Sequence, residues 1–288
     1  MNLLLASLGF GLVTAAVLAI ASVGFTMQFA VTDVLNLAYG AVMIVCAYVA
    51  YALNQAGISI WFGVAVAAVL GALISVALNR GVYTPFQRRG TSPIAIVIVS
   101  LGLTLILEFG LQAIVGGNNV SYRVSQGPTL HVGGLQLTVV QLVIIGLSVV
   151  AMLAVHTLLA FTKLGKAMRA TAADRSLART CGIRTDRVVT VTWLISGALC
   201  GVGGAVFALD AGSFGATSTD LFLVLILAAV FLGGPGQSYG AMLGALVIGI
   251  GTEVSAAYVT PEYKDVVAFV LLLIMLAVRP TGLLGSRA

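Results

Sequence analysis

The sequence predicts an all-α polytopic membrane protein with about eight to nine transmembrane helices, some of them short or broken. Three observations carry this. First, the 288 residues are 60% hydrophobic and only 8% charged, with a mean hydropathy of +1.13; a globular surface needs far more charge to stay solvated. Second, the apolar runs are long and nearly uncharged, close to the roughly 20 residues that span a bilayer core. Third, none of them alternates strictly between apolar and polar residues, as the strands of a membrane barrel do.

The first run spans 8–31 and carries no charge. Ala19-Ile20-Ala21 imitates a cleavage site, but no Lys or Arg precedes the run, so a retained first helix is expected. A polar break follows at Thr32-Asp33-Val34-Leu35-Asn36, then a second run over 37–53. The third, 60–78, ends at Asn79-Arg80 and leads into a loop holding Arg80, Arg88 and Arg89. Ser92-Pro93 gives the fourth, 93–115, a capping serine and a proline at its first position. Loop 116–137 is rich in Gly and Asn, carries one cation, Arg123, and has room for a small hairpin. Its Asn119-Val120-Ser121 fits a glycosylation acceptor pattern, which tripeptides often do by chance.

Thr138 and Gln141 have capping-box spacing at the head of the fifth run, which ends near Phe161. Residues 162–187 hold seven of the fourteen Lys and Arg. Asp174 is placed to cap a short helix there, and Gly182 to end it in a left-handed turn. Asp186 is read as the cap of the sixth run, 187–209. After a small polar stretch from Asp210 to Asp220, the seventh run covers 221–232, roughly 18 Å at 1.5 Å per residue. That is short for a crossing, and Gly233-Gly234-Pro235-Gly236 breaks it. The eighth run is 239–258. Thr260-Pro261 opens a ninth, which ends at Arg279-Pro280.

The cations set the orientation. Placing 80–92, 162–187 and the C-terminal tail inside puts twelve of the fourteen Lys and Arg there and leaves Arg123 and Lys264 outside. Nine crossings follow, with the N-terminus outside and the seventh run kept as a crossing. The net charge of +5 is explained by this topology and by anionic lipid, so nucleic acid is not expected as a partner. Cys46, Cys181 and Cys200 lack the number and spacing of a disulfide or zinc framework. Tyr39-Gly40-Ala41 and Tyr239-Gly240-Ala241 hint at a parallel repeat with both copies starting on the inner side, though so short a match arises readily by chance.

Within the runs, Glu108 and Glu253 stand out, since a charge in the bilayer is expensive unless paired or wet. They either line a polar path or reach the outer headgroups. Asp33 and Asn36 sit where freed backbone groups need partners. Gly201, Gly203, Gly204, Gly240, Gly244, Gly249 and Gly251 permit close helix contact. His131 and His156 are far apart in sequence, and no hydrolase, metalloprotease or phosphate-loop motif is present, so no catalytic or metal-binding residues are expected.

Several stretches together resemble one family. Asn36-Leu37-Ala38-Tyr39-Gly40 is similar to the Asn-x-Ala-x-Gly motif of branched-chain amino-acid ABC-transporter permeases of the LivH type. Thr162-Lys163-Leu164-Gly165-Lys166-Ala167-Met168-Arg169-Ala170, then Asp174-Arg175, Ala178, Gly182-Ile183 and Asp186-Arg187-Val188, resembles that family's coupling loop. Leu232-Gly233-Gly234, Gly240-Ala241 with Gly244-Ala245, and Arg279-Pro280-Thr281-Gly282-Leu283-Leu284-Gly285 resemble its late helices and C-terminal signature. Tyr39 departs from the His or other polar residue that the family often carries there.

The resemblance implies one permease domain over 1–288, multi-pass in a bacterial inner membrane, with its basic loops and C-terminus cytoplasmic. It implies a non-enzymatic subunit of an importer for leucine, isoleucine and valine; relatives that take urea, short amides or other amino acids keep the solute open. Implied partners are a second related permease, two cytoplasmic ABC ATPases that hold ATP and magnesium, and a periplasmic solute-binding protein, with membrane lipid around them; this chain itself would bind no cofactor. Coupling to the ATPase is expected from Arg169, Asp174, Arg175, Ala178 and Gly182, and the translocation path from Gln28, Asn36, Tyr39, Thr104 and Glu108. A self-contained secondary transporter is the rival reading; its ion-coupling groups would have to be Glu108 and Glu253.

Overall fold

A computed structural model describes residues 2–124, 127–132, 135–258, 264–278 and 282–284. Thr260-Pro261, Arg279-Pro280 and Arg287 lie outside the described residues, as do Thr281 and Gly285 of the C-terminal signature. The helices are α1 Asn2–Thr32, α2 Ala38–Gln55, α3 Ile60–Leu78, α4 Thr84–Arg88, α5 Pro93–Val115 and α6 Val139–Phe161. Two short helices follow, α7 Lys163–Ala173 and α8 Arg175–Thr180, then α9 Thr185–Ala211, α10 Thr219–Gly233, α11 Ser238–Tyr258 and α12 Lys264–Val278. A two-stranded antiparallel hairpin, β1 Thr129–Val132 and β2 Leu135–Thr138, pairs Thr129 with Thr138 in the 116–137 loop.

Seven helices among the described residues are long and apolar enough to cross a membrane; α10 and α12 are shorter. Several ends are set by caps. Ser92 Oγ accepts the Ala95 amide at 3.4 Å, and Thr138 and Gln141 complete a reciprocal capping box. The expected loop over 80–92 is helical as far as Arg88, and only 89–92 form a loop. α3 passes into a π turn, Asn79–Tyr83, and then into α4, giving one rod over Ile60–Arg88. Pro85 would clash with a carbonyl one turn back in a regular helix, and the wider π turn makes room for it. Arg80 and Arg88 therefore project from a rigid helix.

Contacts between helix ends define two faces. Thr32 O accepts from Gln87 Nε2, and Leu283 N and Leu284 N donate to Leu232 O and Gly233 O, which gathers these ends on the face that carries the cations. Arg80, Arg88 and Arg175 line one cleft there. On the opposite face, Asn54 Oδ1 accepts from Arg123 N, and Val120 bridges to Phe214. α10 starts within the bundle, where Thr219 Oγ1 donates to Gly40 O, and ends on the first side beside Leu283, so the helix of the seventh segment covers only part of the distance between the two faces.

The core is built on small residues. α1 is buried along most of its length, 83% of its apolar window, whereas α5 and α6 stand at the periphery with 17% of theirs buried. Across the α3–α9 seam, Gly71 meets Gly197 and Gly201 meets the Ala67 backbone, leaving no room for a methyl group. Gly204 meets Met43 in α2, Gly244 meets Ala229 in α10 and Gly249 meets Ala15 in α1. Gly201→Val is expected to force α3 off α9 and to destabilise the protein by about 1–3 kcal/mol, the usual range for overpacking. A thermal-shift assay in detergent checks this, and an unchanged midpoint would show that the seam is loose.

Candidate functional site

The polar break between α1 and α2 is the first construction. Asp33 adopts φ +53°, a left-handed conformation rare for a side-chain-bearing residue but tolerated by Asp. The chain then climbs back beside α1. Tyr39 consequently packs edge-on against Phe25 at 5.5 Å and donates from its hydroxyl to Ala21 O at 3.1 Å. α2 thus begins inside the helical bundle. The expected inner-side start, shared with Tyr239, holds only for Tyr239, which lines a cleft with Leu159 and Met168 on the basic face.

The start of α2 is pinned from three sides. Asn36 Oδ1 accepts from Tyr83 Oη at 2.6 Å, tying the break to the π turn. Ser100 Oγ of α5 accepts from Leu37 N at 3.2 Å and reaches Leu35 O at 3.3 Å. Thr219 Oγ1, the first residue of α10, donates to Gly40 O at 2.9 Å. Two broken helices therefore begin side by side within the bundle, bringing two positive dipole ends together, with Leu37 N, Tyr39 N and Asp220 N held by Ser100 Oγ, Asn36 O and Thr217 O.

α5 presents a polar stripe to this junction. Ser100, Thr104 and Glu108 recur every four residues, so they share one helix face. Thr104 Oγ1 donates back to Ser100 O at 3.0 Å. Glu108 is only 3% exposed, and its Oε1 has no hydrogen-bond partner. Asp220, in the first turn of α10, brings a second carboxyl within interaction distance of it. Two carboxyls and two helix N-termini thus converge in a setting where polar groups seldom stand idle.

The five expected path residues divide into groups. Thr104 and Glu108 lie on the stripe, and Asn36 adjoins it through the Leu35–Leu37 backbone. Gln28 and Tyr39 lie on the other side of α2, between α1 and α9, where Ser196 Oγ donates to Gln28 Oε1 at 3.3 Å and Cys200 Sγ to Tyr39 O at 3.4 Å. Gln28 Nε2 has no partner, but Tyr39 is fully engaged in packing. Ser100 and Asp220 were not anticipated. The four-residue spacing from Ser100 to Glu108 is visible in the sequence; the approach of Asp220 exists only in three dimensions. Glu253 is paired instead, accepting from Thr14 Oγ1 at 2.8 Å and from Lys264 Nζ.

The second construction is the basic loop. Asp174 Oδ1 accepts from Ser176 N, Leu177 N and Ser176 Oγ at 2.7, 2.9 and 2.7 Å. These bonds, that from the Leu177 amide first, hold its carboxyl below the usual aspartate range. At the other end of α8, Gly182 has φ +82°, with Gly182 N on Arg179 O and Ile183 N on Ala178 O. This is the paired bonding of a Schellman cap. Asp186 does not cap α9, which starts at Thr185. Its Oδ1 accepts from Arg175 and Arg179 at 3.3 and 2.9 Å, tying α8 to α9.

Of the expected coupling residues, Arg169 and Asp174 are exposed and Arg175 is half-buried. Ala178 is buried, so it seats α8 on the body of the protein and does not itself face a partner. Gly182 shapes the turn. The apolar group that α8 presents outward is Leu177, 61% exposed, with Cys181 one turn further on. Among the described residues, no three His, Cys, Asp or Glu side chains could hold a metal ion.

Residues 7–276 match the family model described as branched-chain amino acid transport system, permease component. The chain is 30% identical over 289 residues to LivH of Escherichia coli strain K12, a high-affinity branched-chain amino acid transport system permease protein; 96% of this chain and 93% of that protein are covered. It is 26% identical to LivM of the same strain, with 92% of this chain and 67% of that protein covered. A solved structure, PsaBC from Streptococcus pneumoniae in complex with Fab, superimposes with a TM-score of 0.52 over 94% of this chain and 91% of that one. At 17% identity, that likeness is one of fold.

Proposed function

The chain belongs to the branched-chain amino acid transport permease family, and on that premise we propose that it carries leucine, isoleucine, valine or a close zwitterionic relative inward as the permease of an ATP-driven importer. The observation that carries the substrate reading is the buried Glu108 carboxyl, one oxygen of which has no partner, beside Asp220 at the start of α10. A neutral amino acid brings an ammonium for that carboxyl pair and a carboxylate for the helix N-termini, as broken helices offer such groups in other transporters. Its apolar side chain would lie against the aliphatic surface of the bundle.

The basic face is the cytoplasmic one in this reading, and the membrane is the bacterial inner membrane. The ten Lys and Arg of 80–89 and 163–187 on that side satisfy the positive-inside rule. ATPases holding ATP and magnesium would grip α7 and α8, with Arg169, Arg175 and Leu177 at the contact and Asp174, Ala178 and Gly182 holding the loop in shape. The similarity to both LivH and LivM supports a second, related permease as the partner in the membrane. A soluble receptor would deliver the amino acid to the face that carries Arg123 and Phe214.

The test is uptake of labelled leucine by cells expressing the chain with its neighbouring transporter genes. Uptake is expected to stop when ATP is depleted and to persist when the ion gradient is collapsed. The reverse pattern would replace the importer with a secondary transporter.

A further inference from the structure

On the basic face, the end of the α3–α4 rod and the start of α9 enclose a cleft of about 840 Å³. Arg80, Arg88, Arg89, Arg175 and Arg187 line it, and Asp186 is the one carboxylate among its lining residues. That carboxylate is already shared by Arg175 and Arg179. Among the described residues, Arg80, Arg88, Arg89 and Arg187 form no salt bridge, and the Nε of Arg175 is buried without a partner. So dense a set of guanidinium groups repels itself unless anions fill the space between them.

The lining also has a second character. Pro85, Val189 and Val191 form its apolar side. From Arg80, the same face of α3 runs back through Leu73 and Val69, which are 61% and 62% exposed; from Arg187 and Val191, the face of α9 leads to Leu194 at 45%. A cationic recess thus opens directly onto exposed aliphatic track. An acidic protein surface would satisfy the arginines but not the track, whereas a single amphiphile satisfies both.

We propose that this cleft is a binding site for an anionic phospholipid, with its phosphate held by the arginines and its acyl chains laid along α3 and α9. Bound there, the lipid bridges the α3–α4 rod to Arg175 of α8 and steadies the loop from which the ATPase would be gripped. The site requires only that the chain spans a bilayer and is independent of which solute is carried.

The test uses the full-length chain in detergent, offered phosphatidylglycerol or phosphatidylcholine in mixed micelles and read by native mass spectrometry. Phosphatidylglycerol is expected to be retained in preference. Arg88→Gln with Arg89→Gln should lower that retention about tenfold or more, given the contribution of each cation near a membrane surface. Arg88→Lys with Arg89→Lys should largely keep it, as should Lys163→Gln with Lys166→Gln, which removes equal charge outside the cleft. A phosphatidylglycerol with a photoreactive acyl chain should crosslink the wild-type chain around Leu73 and Leu194, a readout that does not depend on any variant folding.

Equal retention of the two lipids, unchanged retention by the glutamine variant, or crosslinks confined to other helices would overturn the site. So would saturation of the cleft by inorganic phosphate that leaves the bound lipid in place. Loss of ATPase copurification from the glutamine variant with lipid retention intact would assign the cleft to the ATPase and likewise remove the proposal.

Discussion

Glu108→Gln is expected to lower amino-acid uptake by about a hundredfold while leaving the amount of protein in the membrane unchanged. The substitution keeps the shape and removes the charge. Glu108 is 3% exposed, and one of its oxygens has no protein partner, so the amide has no existing bond to break there. What disappears is the attraction for a bound ammonium. Losing one partner of a desolvated charged pair costs about 2–5 kcal/mol, and about 3 kcal/mol corresponds to roughly a hundredfold in affinity.

Asp220→Asn should act in the same direction. The two together should cost much less than the sum of the separate effects, because both carboxyls face one ligand group. Uptake kinetics of the two single variants and the double variant form the test. Glu108→Gln uptake within about twofold of wild type would return Glu108 to a purely structural role; additive losses would mean that the two carboxyls serve different ends.

Much of this architecture was legible because local chemistry agreed with the tertiary outcome. The third, fourth and fifth runs became helices over Ile60–Leu78, Pro93–Val115 and Val139–Phe161, each within a residue or two of the expected ends. Ser92, Thr138 with Gln141, Asp174 and Gly182 all act within a few residues of themselves, so their roles can be read from spacing alone. Asp186 failed for the opposite reason. It sits where a cap would serve, but two arginines folded back from α8 compete for the same carboxylate.

The deeper miss concerns depth in the bundle. A polar break marks where a helix stops, but not whether the next begins at the surface or inside. That α2 starts beside Phe25 depends on the left-handed turn at Asp33 and on Ser100, Tyr83 and Thr219 receiving it. Three of those partners lie more than forty residues away in sequence. The same distance hid Asp220, which is unremarkable in its own polar stretch and gains meaning only beside Glu108. Residues 80–88 were misread because Arg80, Gly81, Pro85 and Arg88 look like a loop, although a π turn followed by α4 carries them in one rod, and only 89–92 leave the helix.

Leu177→Glu should abolish copurification of the ATPase and bring uptake to background, with the fold of the permease intact. Leu177 is the exposed apolar side chain on a helix whose position is fixed by other residues: Asp174 at one end, Gly182 at the other, Ala178 beneath and the arginine pair on Asp186 behind. A rigidly presented leucine suits a groove on a partner. Its loss at a contact centre costs about 2 kcal/mol or more, and a carboxylate forced into the same groove adds a desolvation penalty, so a fall beyond about thirtyfold is expected.

Stability should move by no more than about 0.5 kcal/mol, because the site is open to solvent in the isolated chain. Ala178→Glu separates docking from framing. Its side chain points into the body, so both the thermal midpoint and ATPase binding should fall together. Arg169→Glu should weaken binding in a salt-dependent way and leave the midpoint unchanged, since Arg169 is exposed and forms no salt bridge among the described residues. Undiminished ATPase capture by Leu177→Glu would move the gripping surface off α8, and a periplasmic readout from a topology reporter at Cys181 would remove it from that compartment altogether.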